Sequence, residues 1–160
     1  MSPLISDTNT SFKWFILATA TFVTMLYAMN VTIASIALSD MRGAMGATQD
    51  QISWVVTGNI VATAIFTPFA GWLSSRIQIR TILFFSVFGF IISSIFCGMS
   101  DSLEEIVIAR VAQGIFGAPL PPLSQTLVLA VFPKRQISVA MAVWGMGTIL
   151  GPVIAPVSYT

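Results

Sequence analysis

Five apolar stretches, each about as long as a membrane crossing, account for most of this chain. A helix needs roughly 20 apolar residues to cross the hydrocarbon of a bilayer. The gaps between the stretches are short and hold turns or charge clusters, so neighbouring helices must run antiparallel. The sequence therefore predicts an all-α fold, a polytopic transmembrane helical bundle of about five spans. The predicted spans are about 14–38, 54–73, 81–99, 106–132 and 137–157, with a tail at 1–13 and a truncated end at 158–160.

The composition supports a surface that faces lipid. Only 8% of the residues are charged and 56% are hydrophobic, whereas soluble domains carry about a quarter charged residues. So few charges cannot cover a water-facing surface. The strict alternation of a membrane β-barrel is absent, and the long apolar runs argue against one.

The scarcity of reactive side chains excludes several classes of function. Cys97 is the only cysteine and there is no histidine, so a disulfide framework, a zinc site and a Cys-His or Ser-His-Asp pair are all excluded. A free cysteine in an apolar helix packs as a small hydrophobe. The net charge of +1 gives no electrostatic case for nucleic acid. We expect no enzyme activity, no metal site and no cofactor.

Two capping patterns mark the starts of predicted helices. Thr48-x-x-Gln51 and Ser102-x-x-Glu105 both have the form of a capping box, in which side chains satisfy the free backbone N–H groups. Pro133 marks the end of the fourth span. The first span could instead be a secretory signal, since Lys13 precedes it. However, its apolar stretch is longer than the 7–15 residues of a signal sequence.

The basic residues predict the orientation. Five of them fall in segments on one side of the predicted membrane, and Arg42 alone lies in a loop on the other. The positive-inside rule then places the N-terminus and the tail 1–13 in the cytoplasm. The five basic residues are Lys13, Arg76, Arg80, Lys134 and Arg135.

Arg110 is the most costly residue in the predicted spans, because a cation in hydrocarbon persists only when it is hydrated or paired. At about 100° per residue, the helical face of Arg110 also carries polar residues, small residues and a proline. Such a face suits contact with protein or water. The alternative is that Arg110 snorkels towards Glu104 or Glu105 at the membrane boundary. The residues that share its face are Gln113, Gly114, Gly117, Pro121 and Ser124.

Two other spans carry residues that suit close packing or a cavity. Asn30 in the first span is either a simple interhelical hydrogen-bonding residue or a substrate contact. In the fifth span, Gly147-x-x-x-Gly151 is a small-residue packing pattern, and Pro152 follows it directly. By itself this pattern indicates a kinked packing helix.

Four clusters, in chain order, resemble motifs of the major facilitator superfamily. Asn30-Val-Thr32-Ile33-Ala-Ser-Ile-Ala37-Leu38 resembles the first-helix motif of the fourteen-helix drug:proton antiporters of the EmrB/QacA type. Gly71-Trp-Leu-Ser-Ser-Arg76-Ile-Gln-Ile-Arg80 is similar to the signature loop of the superfamily. Arg110-Val-Ala-Gln113-Gly114-Ile-Phe-Gly117 resembles its fourth-helix proton-coupling motif. Gly147-Thr-Ile-Leu-Gly151-Pro152 resembles the antiporter motif of exporters.

The chain departs from these motifs at three positions. Asn30 stands where the first-helix motif usually has a membrane aspartate, and an asparagine cannot carry a proton. Ser75 and Gln78 replace an acid and a glycine of the signature loop, which weakens its charge relay.

The resemblance implies that this chain is part of the N-terminal half of a proton-coupled exporter of drugs or other amphiphiles. It places Arg110 and Gln113 in the coupling region and Asn30 at the cavity. It implies that the partners are small lipophilic substrates, the proton and the lipid bilayer. It also implies a location in the bacterial cytoplasmic (inner) membrane, and for the full-length form it suggests a periplasmic adaptor. Transport requires two halves that rock against each other. The alternative function is therefore a truncated, transport-inactive membrane remnant or interaction partner.

Overall fold

A computed structural model describes residues 10–46 and 48–159, with the side chains of residues 10, 38–42, 44, 45 and 156–159 left undescribed. Most of the predicted tail and the side chains of Asp40 and Arg42 therefore lie outside the described part of the chain. The described residues form six helices and no strand, which confirms the all-α prediction. The helices are α1 (Thr10–Met45), α2 (Gln49–Ser74), α3 (Ile79–Met99), α4 (Leu103–Gly117), α5 (Leu120–Val131) and α6 (Ile137–Tyr159).

Five segments within the described residues are long and apolar enough to cross a membrane, as the sequence predicts. The fourth crossing, Leu103–Val131, is made by α4 and α5 together. Its two helices are separated at Ala118 and Pro119. Pro119, Pro121 and Pro122 lack the N–H that would continue the helical hydrogen bonds, so the break follows from the sequence.

The helix starts show the local chemistry that the sequence predicts. The Thr48 side chain accepts a hydrogen bond from the Gln51 backbone, and the Gln51 side chain accepts one from the Thr48 N–H, which completes a capping box. Ser102 likewise caps α4 by accepting from Glu105 N. The Glu105 carboxylate, however, accepts from the Asp101 N–H rather than from Ser102. In this second cap the Glu105 side chain therefore reaches back to the residue before the one that a capping box would use.

The loop between α1 and α2 turns at Gly46. Its φ of +59° lies in the left-handed region, which favours glycine because other residues have a Cβ that clashes there. α1 continues to Met45, well past the apolar stretch 14–38, and the chain reverses directly after it.

The helices pack mainly as three pairs, α1 with α6, α2 with α4, and α3 with α4. Large apolar side chains remain exposed all round the bundle, including Phe15, Phe84 and Ile108, each more than 65% exposed. In a soluble protein such exposure would be unfavourable, whereas lipid solvates these side chains well. The buried core is small and made largely of alanine, valine and leucine.

Candidate functional site

Arg110 lies at the centre of a polar cluster between α1, α3 and α4. Its Nη1 donates to Asn30 Oδ1 on α1 and to Gln113 Oε1 one turn further along α4, both at 2.8 Å. Both Nη1 hydrogens are then used. The structure thus brings together the three cavity residues that the sequence identifies, although Asn30 is 80 positions from Arg110.

Gln113 extends this cluster to α3. Its side chain is only 1% exposed, and its Nε2 donates to Ser94 Oγ at 2.7 Å. Ser94 in turn donates to the Phe90 carbonyl oxygen of its own helix. The hydrogen bonds therefore run without interruption from α1 through α4 to α3. We define Asn30, Arg110, Gln113 and Ser94 as the arginine cluster.

The backbone of α4 is fixed against α2 at the same level. Asn59 Nδ2 donates to the Arg110 carbonyl oxygen at 3.0 Å, and Thr63 Oγ1 donates to the Gly114 carbonyl oxygen at 3.3 Å. A Cβ on Gly114 would lie 2.5 Å from the Asn59 carbonyl oxygen, so only glycine permits this approach. α2 thus positions the Arg110 main chain, while α1 and α3 position the side chains.

The arginine cluster contains a cation but no described acid. The guanidinium bonds to Asn30 and Gln113 rather than to Glu104 or Glu105, which differs from the snorkelling alternative. No ion pair joins Arg110 to an acid within the described side chains. Its Nε is buried and has no hydrogen-bond partner there. A positive charge with neutral partners in a membrane interior favours the deprotonated form of any acid brought close to it.

The bundle encloses little space beside this cation. The cavity between Arg110, Asn59 and the α1 residues Val31 and Ala34 measures about 10 Å³. That is close to the minimum for one water molecule, while pockets for small ligands measure about 300–1,000 Å³. In the structure Asn30 contacts Arg110, and its expected place at a substrate cavity stays a prediction.

The signature-loop residues lie at the opposite end of α2 and α3 from the start of α4, apart from the arginine cluster. Arg76 stacks on the Trp72 ring, with its Cζ 5.1 Å from the ring centroid. Arg80 lies in the first turn of α3. Gly71 has open space where a Cβ would be, so close packing does not account for this glycine.

The antiporter-motif glycines form the contact between α6 and α1. A Cβ on Gly151 would lie 2.6 Å from the Met25 carbonyl oxygen, and one on Gly147 would overlap the Thr21 side chain. Pro152 is exposed on the other side of α6. In the structure these two glycines are close-packing positions between α6 and α1.

Sequence reasoning missed Ser94 and the Arg110 contact of Asn59. Ser93 and Ser94 are adjacent hydroxyl residues in a mostly apolar helix, and this pair was the available signal. Asn59 and Thr63 are spaced at one helical turn on α2, but the spacing alone does not indicate which helix they contact. Thr21 Oγ1 and Trp144 Nε1, buried without described partners, carry no motif that would have identified them.

The fold and the cluster together define a polytopic membrane protein with a partly buried cation whose hydrogen-bond network joins three of its helices. The sequence model of the Major Facilitator Superfamily matches residues 20–158. The chain belongs to the major facilitator superfamily, as the motifs indicated.

Similar proteins of this family include exporters. The chain is 39% identical to the multidrug export protein EmrB of Haemophilus influenzae over 134 residues, which is 84% of this chain and 26% of that protein. It is 36% identical to the fatty acid resistance protein FarB of Neisseria gonorrhoeae over 81% of this chain and 25% of that protein. The chain therefore spans about a quarter of the length of these relatives.

The fold also has a solved counterpart. A bacterial homologue of the human lysosomal transporter Spinster, crystallised in an inward-facing and unoccupied conformation, superposes with a TM-score of 0.82. The match covers 92% of this chain and 31% of that one, at 20% sequence identity. This similarity shows the fold alone.

Proposed function

We propose that this chain is the N-terminal part of a proton-coupled exporter of small lipophilic molecules, and that the arginine cluster belongs to its coupling region. The observation that supports this most strongly is the contact of Arg110 with Asn30 and Gln113, which holds a cation within a span without any described acid. A structural arginine at the boundary would contact water or the nearby carboxylates Glu104 and Glu105 instead.

In this proposal Arg110 controls an acid rather than carrying the proton itself. A guanidinium remains protonated, and Asn30 has no proton to lose, so neither residue is the carrier. An acid that approaches Arg110 in one conformation loses its proton, and regains it when it moves away. The carrier is then Asp40, or an acid of the transporter beyond these five spans.

The packing at Gly147 and Gly151 suits the same function. A rocking half must move as one body, and close backbone contact joins α6 firmly to α1. α1 also supplies Asn30 to the arginine cluster. A movement of α6 would therefore be transmitted to the coupling region through α1.

We further propose that the chain lies in the bacterial inner membrane with its N-terminus in the cytoplasm. The positive-inside bias supports this orientation, since Arg76 and Arg80 lie at the end of the bundle opposite to Asp50, Asp101 and Glu104. The partners are the substrate, the proton and the bilayer. For the full-length form we propose a periplasmic adaptor as well, on the family resemblance.

The proposal is tested by exchanging segments. The matched residues of the Haemophilus influenzae relative are replaced with those of this chain, and proton-driven accumulation of a lipophilic fluorescent dye is measured in inverted membrane vesicles. We expect dye accumulation that collapses when a protonophore is added. Introducing Arg110→Ala should abolish it while leaving equilibrium binding of the dye intact, because the charge acts on coupling rather than on the binding surface.

Two further variants sharpen this test. Arg110→Lys should restore little transport, since a point ammonium cannot replace the planar guanidinium that bonds to Asn30 and Gln113. Arg135→Ala, in the exposed loop before α6, is the matched control and should transport normally. Normal transport by Arg110→Ala would refute the coupling assignment.

A further inference from the structure

An open apolar groove runs between α2 and α3 at the basic end of the bundle. It measures about 300 Å³, and its floor is the break between α4 and α5 at Pro119. Most of the residues that line it are aromatic or branched aliphatic, including Phe66, Phe69, Ile82 and Phe85. We call it the α2–α3 groove. Its shape and lining suit a flexible hydrocarbon chain.

A cation is connected to the wall of this groove through an aromatic stack. Arg76 stacks on Trp72, and Trp72 stacks on Phe69, whose ring lies 5.4 Å away and forms part of the groove wall. Arg76 is exposed, and its guanidinium makes no described hydrogen bond. A tryptophan and an arginine together at the end of a membrane helix are typical of the headgroup level. The groove therefore has an apolar interior and a positively charged edge.

No described acid neutralises this edge. The described acids are Asp50, Asp101, Glu104 and Glu105, which all lie at the other end of the bundle. Ser75 stands where similar signature loops have an acid, and its hydroxyl donates to the Trp72 carbonyl oxygen at 2.6 Å. The Ser75 hydroxyl therefore bonds to the end of α2 and gives Arg76 no carboxylate partner. As far as the described residues go, the charge of Arg76 is available to an anion from outside the chain.

We propose that the α2–α3 groove binds an anionic phospholipid, with one acyl chain between Phe66 and Phe85 and the phosphate on Arg76. Arginine binds phosphate through paired N–H donors, and basic pockets between membrane helices bind anionic lipid headgroups. Free phosphate would gain nothing from the groove, whereas a lipid uses both parts. The proposal does not depend on transport. Only the assignment of the bound lipid to the cytoplasmic leaflet depends on the proposed orientation.

Arg80 provides a matched comparison. It lies in the same membrane-proximal segment, but its side chain lines a different groove, between α1 and α3, with Phe15 and Phe84. A diffuse attraction of basic residues to an anionic surface would involve Arg76 and Arg80 equally. A site in the α2–α3 groove requires Arg76 alone.

The test uses quenching of tryptophan fluorescence by brominated lipids. The whole chain is prepared with Trp72 as its only tryptophan, the other three being replaced by phenylalanine, and is reconstituted into phosphatidylcholine vesicles. Brominated phosphatidylglycerol and brominated phosphatidylcholine are compared as quenchers. A second form that keeps only Trp54, 60% exposed at the opposite end of α2, reports on ordinary surrounding lipid.

We expect phosphatidylglycerol to bind at Trp72 about fivefold more strongly than phosphatidylcholine, the factor that corresponds to about 1 kcal/mol for one basic residue near an anionic lipid. At Trp54 the ratio should be close to one. Arg76→Gln should remove the preference at Trp72, and Arg80→Gln should leave it unchanged. Thr81→Phe, which fills the mouth of the groove, should also reduce the preference.

Three results would overturn the site. A preference that survives Arg76→Gln would show that the arginine is not the headgroup contact. Equal loss in Arg76→Gln and Arg80→Gln would show diffuse attraction only. A preference untouched by Thr81→Phe would show that the acyl chain does not occupy the groove.

Discussion

At the residue scale, the main finding is how Arg110 is held. Its guanidinium donates hydrogen bonds to two amide oxygens, and one of these amides, that of Gln113, donates in turn to Ser94. Helical periodicity in the sequence places Gln113 on the same face as Arg110, since the two are three residues apart on one helix. The contact with Asn30 depends instead on the register between α1 and α4. Nothing in the local sequence encodes that register, so Asn30 remained ambiguous and Ser94 was missed.

Replacing Gln113 tests this network. Gln113→Leu keeps the volume but removes the acceptor of one Arg110 hydrogen, so we expect the free energy of unfolding to fall by about 2 kcal/mol. Ser94→Ala removes only a neutral interhelical bond and should cost about 0.6 kcal/mol, the average in membrane proteins. Denaturant unfolding of the purified chain in detergent measures both. Equal losses would show that the charge contributes nothing to the cluster.

At the element scale, glycines and prolines determine where helices meet and where they break. The small-residue pattern of the sequence predicts close packing at Gly147 and Gly151, and the break at Pro119 follows from the nearby prolines, because both effects are local in origin. It does not predict that α6 rests on α1, or that Gly114 lies against α2. Those pairings depend on the order in which the spans surround one another, which short antiparallel links alone leave undetermined.

The contact between α6 and α1 can be tested by a matched pair of alanine substitutions. A methyl group at Gly151 meets the Met25 carbonyl oxygen, which cannot move without its helix, so Gly151→Ala should lower the free energy of unfolding by about 1–3 kcal/mol. Gly145→Ala, on the same helix with open space around it, should leave stability unchanged or raise it by up to about 1 kcal/mol. Thermal unfolding in detergent distinguishes the two. A larger loss for Gly145→Ala would contradict the described packing.

At the scale of the whole molecule, the described residues form a bundle of five segments long and apolar enough to cross a membrane, with basic side chains at one end and acidic ones at the other. Hydropathy predicts the number of spans well, because a bilayer imposes a minimum apolar length on each. The sequence also identifies the family, through motifs that recur in order. The ends of the helices are less predictable, since α1 continues to Met45 past its apolar stretch and α2 begins at Gln49, in a capped polar turn ahead of its own. The side of the membrane on which the signature loop and the proposed lipid site lie depends on the direction in which this bundle is inserted.

The central claim is therefore tested most directly by the topology of the chain itself. Reporters that are active on one side of the membrane only are fused after Asp7, Gln49, Gln78, Ser102 and Arg135. We predict cytoplasmic, periplasmic, cytoplasmic, periplasmic and cytoplasmic positions in that order. A reporter at Gln49 in the cytoplasm, or one at Gln78 outside it, would contradict the five-span bundle with its basic end in the cytoplasm.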